Sequence, residues 1–472
     1  MLRLLGDSQA QADTKAKAIM RLETSLASAS LDNVQRRNPK LMVHKMPARE
    51  FESLNANFDF TLYFSDMAAP AFTTINVGVP EFFKNLNSTL ANTSLDDLKN
   101  YFIWHYVSNY APELSSPFVN ENFDFYQRYL TGAKELQPRW KRCVQLTDRE
   151  LGEALGQKYV EMAFGNDAKQ KTLELVNTIE KEMAIDIESL TWMSETTKRE
   201  ALAKLRRVTN KVGYPERWRD YSSVKVADQD LVGDFRRANE FEVRREVTKI
   251  GKPVDQSEFG MTPPTVNAYY NAMQNNINFP AGILQPPFYT NSADSAVNFG
   301  GIGAVIGHEL THGFDDRGRQ YDGDGNLRDW WSKQDAEEFK KRADCLVNEY
   351  SKFSPVTGAN VNGRLTLGEN GADNAGIRLA YMALLDAIDS GTVDKEKLAG
   401  YTPQQRFFLG YAQIWCQNGR EDAFRLRTQT DPHSPGKFRV DGVVQNVPEF
   451  STAFGCPAGS PMAAANNGCR VW

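Results

Sequence analysis

The chain has 472 residues, too many for one ordinary hydrophobic core, so two domains are expected. Apolar residues make up 41% and charged residues 24%, the balance of a soluble globular protein. Lysine and arginine number 55 against 60 acidic residues, a net charge of −5; no basic run to track phosphates stands out, which argues weakly against nucleic acid as the partner, and no apolar run reaches the length of a membrane span.

The start, MLRLLGDSQAQADTK, has too short an apolar core for a secretory signal. Residues 10–30 predict a helix with Ile19, Leu22 and Leu26 on one side, and the looser stretch from Asp32 to Pro80 predicts short packed pieces around FDFTLYF. Ser94 and Asp97 form a capping pair that opens a second helix, on which His105 reads as a packed or half-exposed residue rather than a ligand; His44, in a polar loop, reads the same way. Thr147 and Glu150 read as another capping box. Leu173, Val176, Ile179, Met183 and Ile187 then recur at the steps of a helix packed on its neighbours. Residues 213–230 are the expected linker, so residues 1–229 are predicted as a helical domain without catalytic residues and 230–472 as a catalytic domain.

After a short helix near 231–249, VNAYYNAMQNNINFPAGILQPP reads as extended chain, a turn at 274–276 and extended chain again. Such a strand beside a reactive centre could hold a peptide by edge pairing; the alternative is a surface hairpin. The centre itself is predicted at VNFGGIGAVIGHELTHGFDDR, residues 297–317. On a helix His308 and His312 point from one face, half of a tetrahedral zinc site, while Glu309 sits one position off, where it can take a proton from water rather than coordinate. Such a string also arises by accident, but the chain has only five histidines, and Ile302, Val305, Ile306 and Leu310 place it on a buried helix.

Two apparent motifs fail. Glycines 300, 301, 303 and 307 do not fit G-x-G-x-x-G, and Asp322, Asp324 and Asn326 begin like a calcium loop that lacks its glycine and closing glutamate. A third zinc ligand is required, and it is not a histidine six residues on, since Gly318 stands there. The better candidate is Glu369 in TLGENGADNAGIRLAYMAL, four residues before Asp373, which could accept a hydrogen bond from a ligand imidazole; the alternative is a solvated acidic face. Five widely spaced cysteines with no C-x-x-C pair exclude a zinc ribbon or thioredoxin site.

HELTH at 308–312, ENGAD at 369–373, VNAYY at 266–270, FPAGILQPPF at 279–288, HSPGKFR at 433–439 and the terminal CRVW together resemble the neprilysin-like zinc metalloendopeptidases, which include the endothelin-converting enzymes and bacterial oligopeptidases. The resemblance runs over essentially the whole chain. It implies a mainly α (α+β) fold, a thermolysin-like zincin catalytic domain with a small edge sheet plus a helical cap. It implies one zinc ion on His308, His312 and Glu369, Glu309 as base, Asp373 behind a ligand histidine, and His433 as oxyanion donor. Arg439 matches an arginine that binds a substrate carbonyl, Asn267 and Ala268 the strand that holds the substrate backbone, and Ile283, Phe288, Val305 and Trp415 the apolar pocket for the residue after the cleaved bond. Cys345 and Cys469 match a family disulfide, and an extracytoplasmic location follows from the resemblance.

Members of the family carry roughly two hundred further residues ahead of the point where this chain begins, a portion that would hold the usual partners of Cys143, Cys416 and Cys456. The expected function is therefore a zinc endopeptidase acting on short peptides, with an inactive zinc-binding scaffold and an exopeptidase as rivals.

Overall fold

The computed structural model describes residues 1–292, 294–463 and 468–472. Two compact units divide the chain: Met1–Leu151 with Asp220–Asp255, and Gly152–Arg219 with Gln256–Trp472. The division is interleaved, unlike the single cut expected at 229/230, and burial explains why. Val176, Ile179, Met183 and Ile187 belong to the same apolar core as Ile302, Ile306 and Leu310, so their helix folds with the HELTH half. The helix Leu231–Val247 returns to the first unit, where Phe235 meets Tyr110 edge-on at 4.9 Å.

In the first unit, helix α1 (Gln9–Ser28) is opened by a complete capping box of Ser8 and Gln11 and packs on α2 (Pro80–Asn92) and α3 (Leu95–Tyr110). Ser94 caps α3 as expected, accepting from the amide of Asp97. FDFTLYF supplies a short helix, Phe60–Asp66, whose Phe60 clusters with Phe51 and Phe83. His105 pairs with Glu23 at 2.6 Å, and His44 Nδ1 lies 3.0 Å from the carbonyl of Val77. Thr147 is not a helix cap: the helix Arg139–Ala163 already runs through it, and its hydroxyl donates to the carbonyl of Cys143 one turn back. That helix is broken instead at Leu151, where the division between units falls.

In the second unit, α4 (Asn166–Ser189) lays its buried face into the core and α5 (Glu195–Leu205) follows it. Three strands form one sheet: β1 (Thr209–Gly213), β2 (Tyr269–Asn271) and β3 (Asn276–Pro280). β3 lies in the middle, parallel to β1 and antiparallel to β2, with Tyr270 opposite Ile277. All five β3 residues are buried; Asn278 is accommodated by donating to Asn276 Oδ1 at 2.7 Å and to the Tyr269 carbonyl. β2 is therefore an edge strand, paired on one side only.

The HELTH helix α6 (Ala304–His312) follows a π-helical turn at Phe299–Gly303. It crosses α8 (Leu367–Asp389) backbone to backbone; α7 (Lys333–Tyr350) packs on α8 from elsewhere in the unit. The crossing needs glycine on both helices: a Cβ on Gly376 would stand 2.5 Å from the His308 amide nitrogen, and one on Gly307 2.6 Å from the Gly376 carbonyl. Cys345 on α7 is bonded to Cys469, as the resemblance implies, and closes a loop of 124 residues; Cys143, Cys416 and Cys456 carry free thiols. No helix among the described residues is long and apolar enough to cross a membrane.

Candidate metal centre

Helix α6 is buried along nearly its whole length, so its polar residues must find partners inside the protein. His308 Nδ1 lies 2.7 Å from Asp373 Oδ1, and His312 Nδ1 lies 2.8 Å from Asp315 Oδ2. Carboxylates only accept, so each Nδ1 carries a proton, and each ring in its neutral form keeps its lone pair on Nε2. Those two nitrogens face each other at 3.0 Å. Glu369 Oε2 completes the cluster at 3.2 Å from His308 Nε2 and 3.5 Å from His312 Nε2, buried and without a hydrogen-bond partner among the described residues.

Two imidazole lone pairs and a carboxylate oxygen aimed at one point cannot satisfy one another; a cation can. Ligand atoms bonded tetrahedrally at about 2.0–2.1 Å stand roughly 3.3 Å apart, and the observed 3.0, 3.2 and 3.5 Å bracket that spacing. The donor set thus fits a divalent metal of zinc's preferences. Glu309 also reaches the cluster, its carboxylate lying within 4.8 Å of both histidine nitrogens, with Oε2 buried and unpartnered.

Burial lowers the His308 and His312 pKa values, but Asp373, Glu369 and Asp315 leave both raised, His312 well above the ordinary range. Burial pushes Glu369 up, yet His312 and His433 hold it well below an ordinary carboxylate. Glu309 has fewer compensating contacts, so burial leaves its pKa raised.

Asp373 holds more than His308. Arg439, on helix α9 (Gly436–Val444), grips it with Nε to Oδ2 and Nη2 to Oδ1, both 2.7 Å, while the Trp415 ring lies under the guanidinium at 3.7 Å. Two of its five guanidinium N–H groups are thus committed to Asp373.

His433 comes to the same centre, with Nε2 3.2 Å from Glu369 Oε2 and 38% of its side chain exposed. Asp431 orients it, accepting from its amide and lying 2.9 Å from Nδ1. Burial lowers the His433 pKa, but Glu369 and Asp431 push it up to about 9. The next residue, Ser434, is fully buried and donates to Asn370 on α8, tying this loop to the helix that carries Glu369.

Asn267, exposed, and Ala268, buried, lead directly into the edge strand β2. Ile283 and Val305 lie in the core of the unit, with Phe288 and Trp415 packed against it. Sequence reasoning missed Asp315 and Asp431. Each had a signal: an acidic residue three positions after His312, and an aspartate two residues before a loop histidine, the spacing of an Asx turn.

Residues 267–471 match a profile of peptidase family M13, and residues 1–215 match a second, N-terminal profile of the same family. The chain is 38% identical over 485 residues to mouse endothelin-converting enzyme 1, covering 100% of this chain and 62% of that protein's length. A locust endothelin-converting enzyme homolog is 35% identical over 489 residues, covering 99% of this chain and 67% of the relative. Among solved structures, the zinc metalloprotease Zmp1 of Mycobacterium tuberculosis, in complex with an inhibitor, is 39% identical with a TM-score of 0.94, covering 99% of this chain and 71% of that one. PepO of Lactobacillus rhamnosis is 28% identical with a TM-score of 0.91, covering 100% and 73%.

Proposed function

The chain belongs to peptidase family M13, and from that premise we propose that it is a zinc-dependent endopeptidase that hydrolyses oligopeptides. The observation that carries the reading is the pair of Nε2 nitrogens 3.0 Å apart with Glu369 beside them. His308, His312 and Glu369 would hold the ion, which when bound supplies Lewis acidity, acidifying water and polarising a carbonyl.

The rest is done by the chain's own residues. Glu309, kept basic by burial, takes the proton of the attacking water and delivers it to the leaving amine. His433, held protonated by Asp431, donates from Nε2 to the developing oxyanion. Asp373 fixes the His308 tautomer and braces Arg439, whose remaining donors meet a substrate carbonyl. The backbone at Asn267 and Ala268 extends the open edge of β2 and pairs with the substrate backbone. Ile283, Phe288, Val305 and Trp415 form the apolar pocket for the side chain after the cleaved bond. The Cys345–Cys469 disulfide supports an extracytoplasmic location, where such bonds persist.

An internally quenched peptide with a bulky apolar residue after the scissile bond tests this. Internal cleavage by zinc-loaded protein, abolished by a chelator and restored by zinc, is expected; replacing that apolar residue by aspartate lowers kcat/KM by about tenfold or more. Trimming from one end would mark an exopeptidase, and no turnover with zinc bound would mark a scaffold.

A pH profile tests His433. Its cationic form is present below its folded pKa and lost as pH rises through it, so activity falls on the alkaline side. With an ion held on Glu369, Asp431 would be the remaining support of the His433 cation. Asp431→Asn should therefore move the alkaline limb of kcat/KM toward neutrality by about one pH unit. A limb that does not move would remove His433 from the reaction.

A further inference from the structure

Helix α5 ends beneath the loop that leaves the HELTH helix. Lys204 sits there at 2% exposure, and its ammonium donates to three main-chain carbonyls: Gly313 at 2.6 Å, Gly318 at 2.7 Å and Tyr321 at 2.8 Å. Three N–H donors meet three acceptors, so the group is saturated. A residue needed only to fill space here would be apolar, because an ammonium is costly to bury.

The three carbonyls bracket Asp315. Gly313 directly follows His312, and the amides of Arg317 and Gly318 donate to Asp315 Oδ1 at 2.8 and 2.7 Å while Oδ2 faces His312 Nδ1. The loop thus shapes the carboxylate, and Lys204 closes the loop. Gly318 lies so near the end of α6 that a Cβ on it would stand 1.8 Å from the His312 carbonyl. Lys204 is itself well anchored. At the other end of α5, the Ser194 amide donates to Asp335 Oδ1 at 3.0 Å, and the Thr197 hydroxyl donates to Oδ2. The carbonyl of Lys204 accepts from Asn275 Nδ2 at 3.1 Å, and Asn275 Oδ1 accepts from Tyr270 on the edge strand.

We infer that Lys204 is a positioning residue of the metal centre, closing the 313–321 loop so that Asp315 is held on His312. The inference rests on reading His308, His312 and Glu369 as the ligands.

A double-mutant cycle on zinc affinity, measured by chelator competition with the full chain, tests it. Lys204→Met and Asp315→Ala should each weaken zinc binding by about 10–100-fold, and the double variant should be no more than about threefold weaker than the weaker single, because both remove one support. A folded Lys204→Met protein within about threefold of the unsubstituted affinity overturns the inference. So does a double variant that loses the product of the two single effects, as independent structural damage would produce. If Lys204→Met does not fold, Lys204→Gln, which keeps two donors, is read through the same cycle. Failure of the unsubstituted protein to bind zinc would overturn the ligand reading itself, whereas zinc binding with an additive cycle removes only the role of Lys204.

Discussion

Glu309→Gln is expected to keep one equivalent of zinc and to lose peptide hydrolysis by about a thousandfold or more. Glu309 lies beside His308 and His312, 4% exposed, with one carboxylate oxygen that meets no donor among the described residues. A buried acceptor left open in this way is costly unless something else completes it, and a water giving up its proton would do so. Glutamine keeps the volume and loses the base. The two histidines do not depend on it: His308 is oriented by Asp373 and His312 by Asp315. Zinc content by elemental analysis and progress curves on the quenched peptide read the two halves separately. Loss of zinc together with activity would make Glu309 a ligand, and full activity would remove it from the mechanism.

Gly376→Ala is expected to lower both zinc affinity and turnover, the latter by about a hundredfold, and to destabilise the protein by about 1–3 kcal/mol. The new methyl carbon would stand 2.5 Å from the His308 nitrogen, 2.7 Å from the Ala304 carbonyl oxygen and 2.9 Å from the His308 Cα. These are backbone atoms of α6, so no side chain can swing aside and the two helices must separate. Glu369 and Asp373 ride on α8 while both histidines ride on α6, so separation opens the ligand set directly. Gly371→Ala on the same helix is the control. A Cβ there finds only Leu346 Cδ1 at 4.0 Å, so zinc affinity should hold and stability stay level or rise slightly. Unchanged zinc affinity in Gly376→Ala would mean that the close helix crossing does not set the site.

Local chemistry made much of this legible in the sequence. The i, i+4 histidines, the capping serine at 94 and the buried face of α4 depend on residues a few positions apart, where period and side-chain type suffice. Glu369 was harder: its spacing to Asp373 made it the better candidate, but nothing local distinguishes such a pair from a solvated acidic face, and the family resemblance favoured it. The interleaved units were not legible because burial of α4 against α6 is a long-range event, and the misread Thr147 shows a capping pattern overridden by a helix already under way. Lys204 bonds loop carbonyls, groups every residue carries, so its place in the sequence gives it no mark.

Anomalous diffraction at the zinc edge from crystals of the zinc-loaded chain tests the central claim most directly. One strong peak is expected, bonded to His308 Nε2, His312 Nε2 and a carboxylate oxygen of Glu369 at about 2.0–2.2 Å, with Glu309 outside bonding distance. A peak elsewhere, or one at the histidines with Glu369 turned away and Glu309 in its place, would contradict the account.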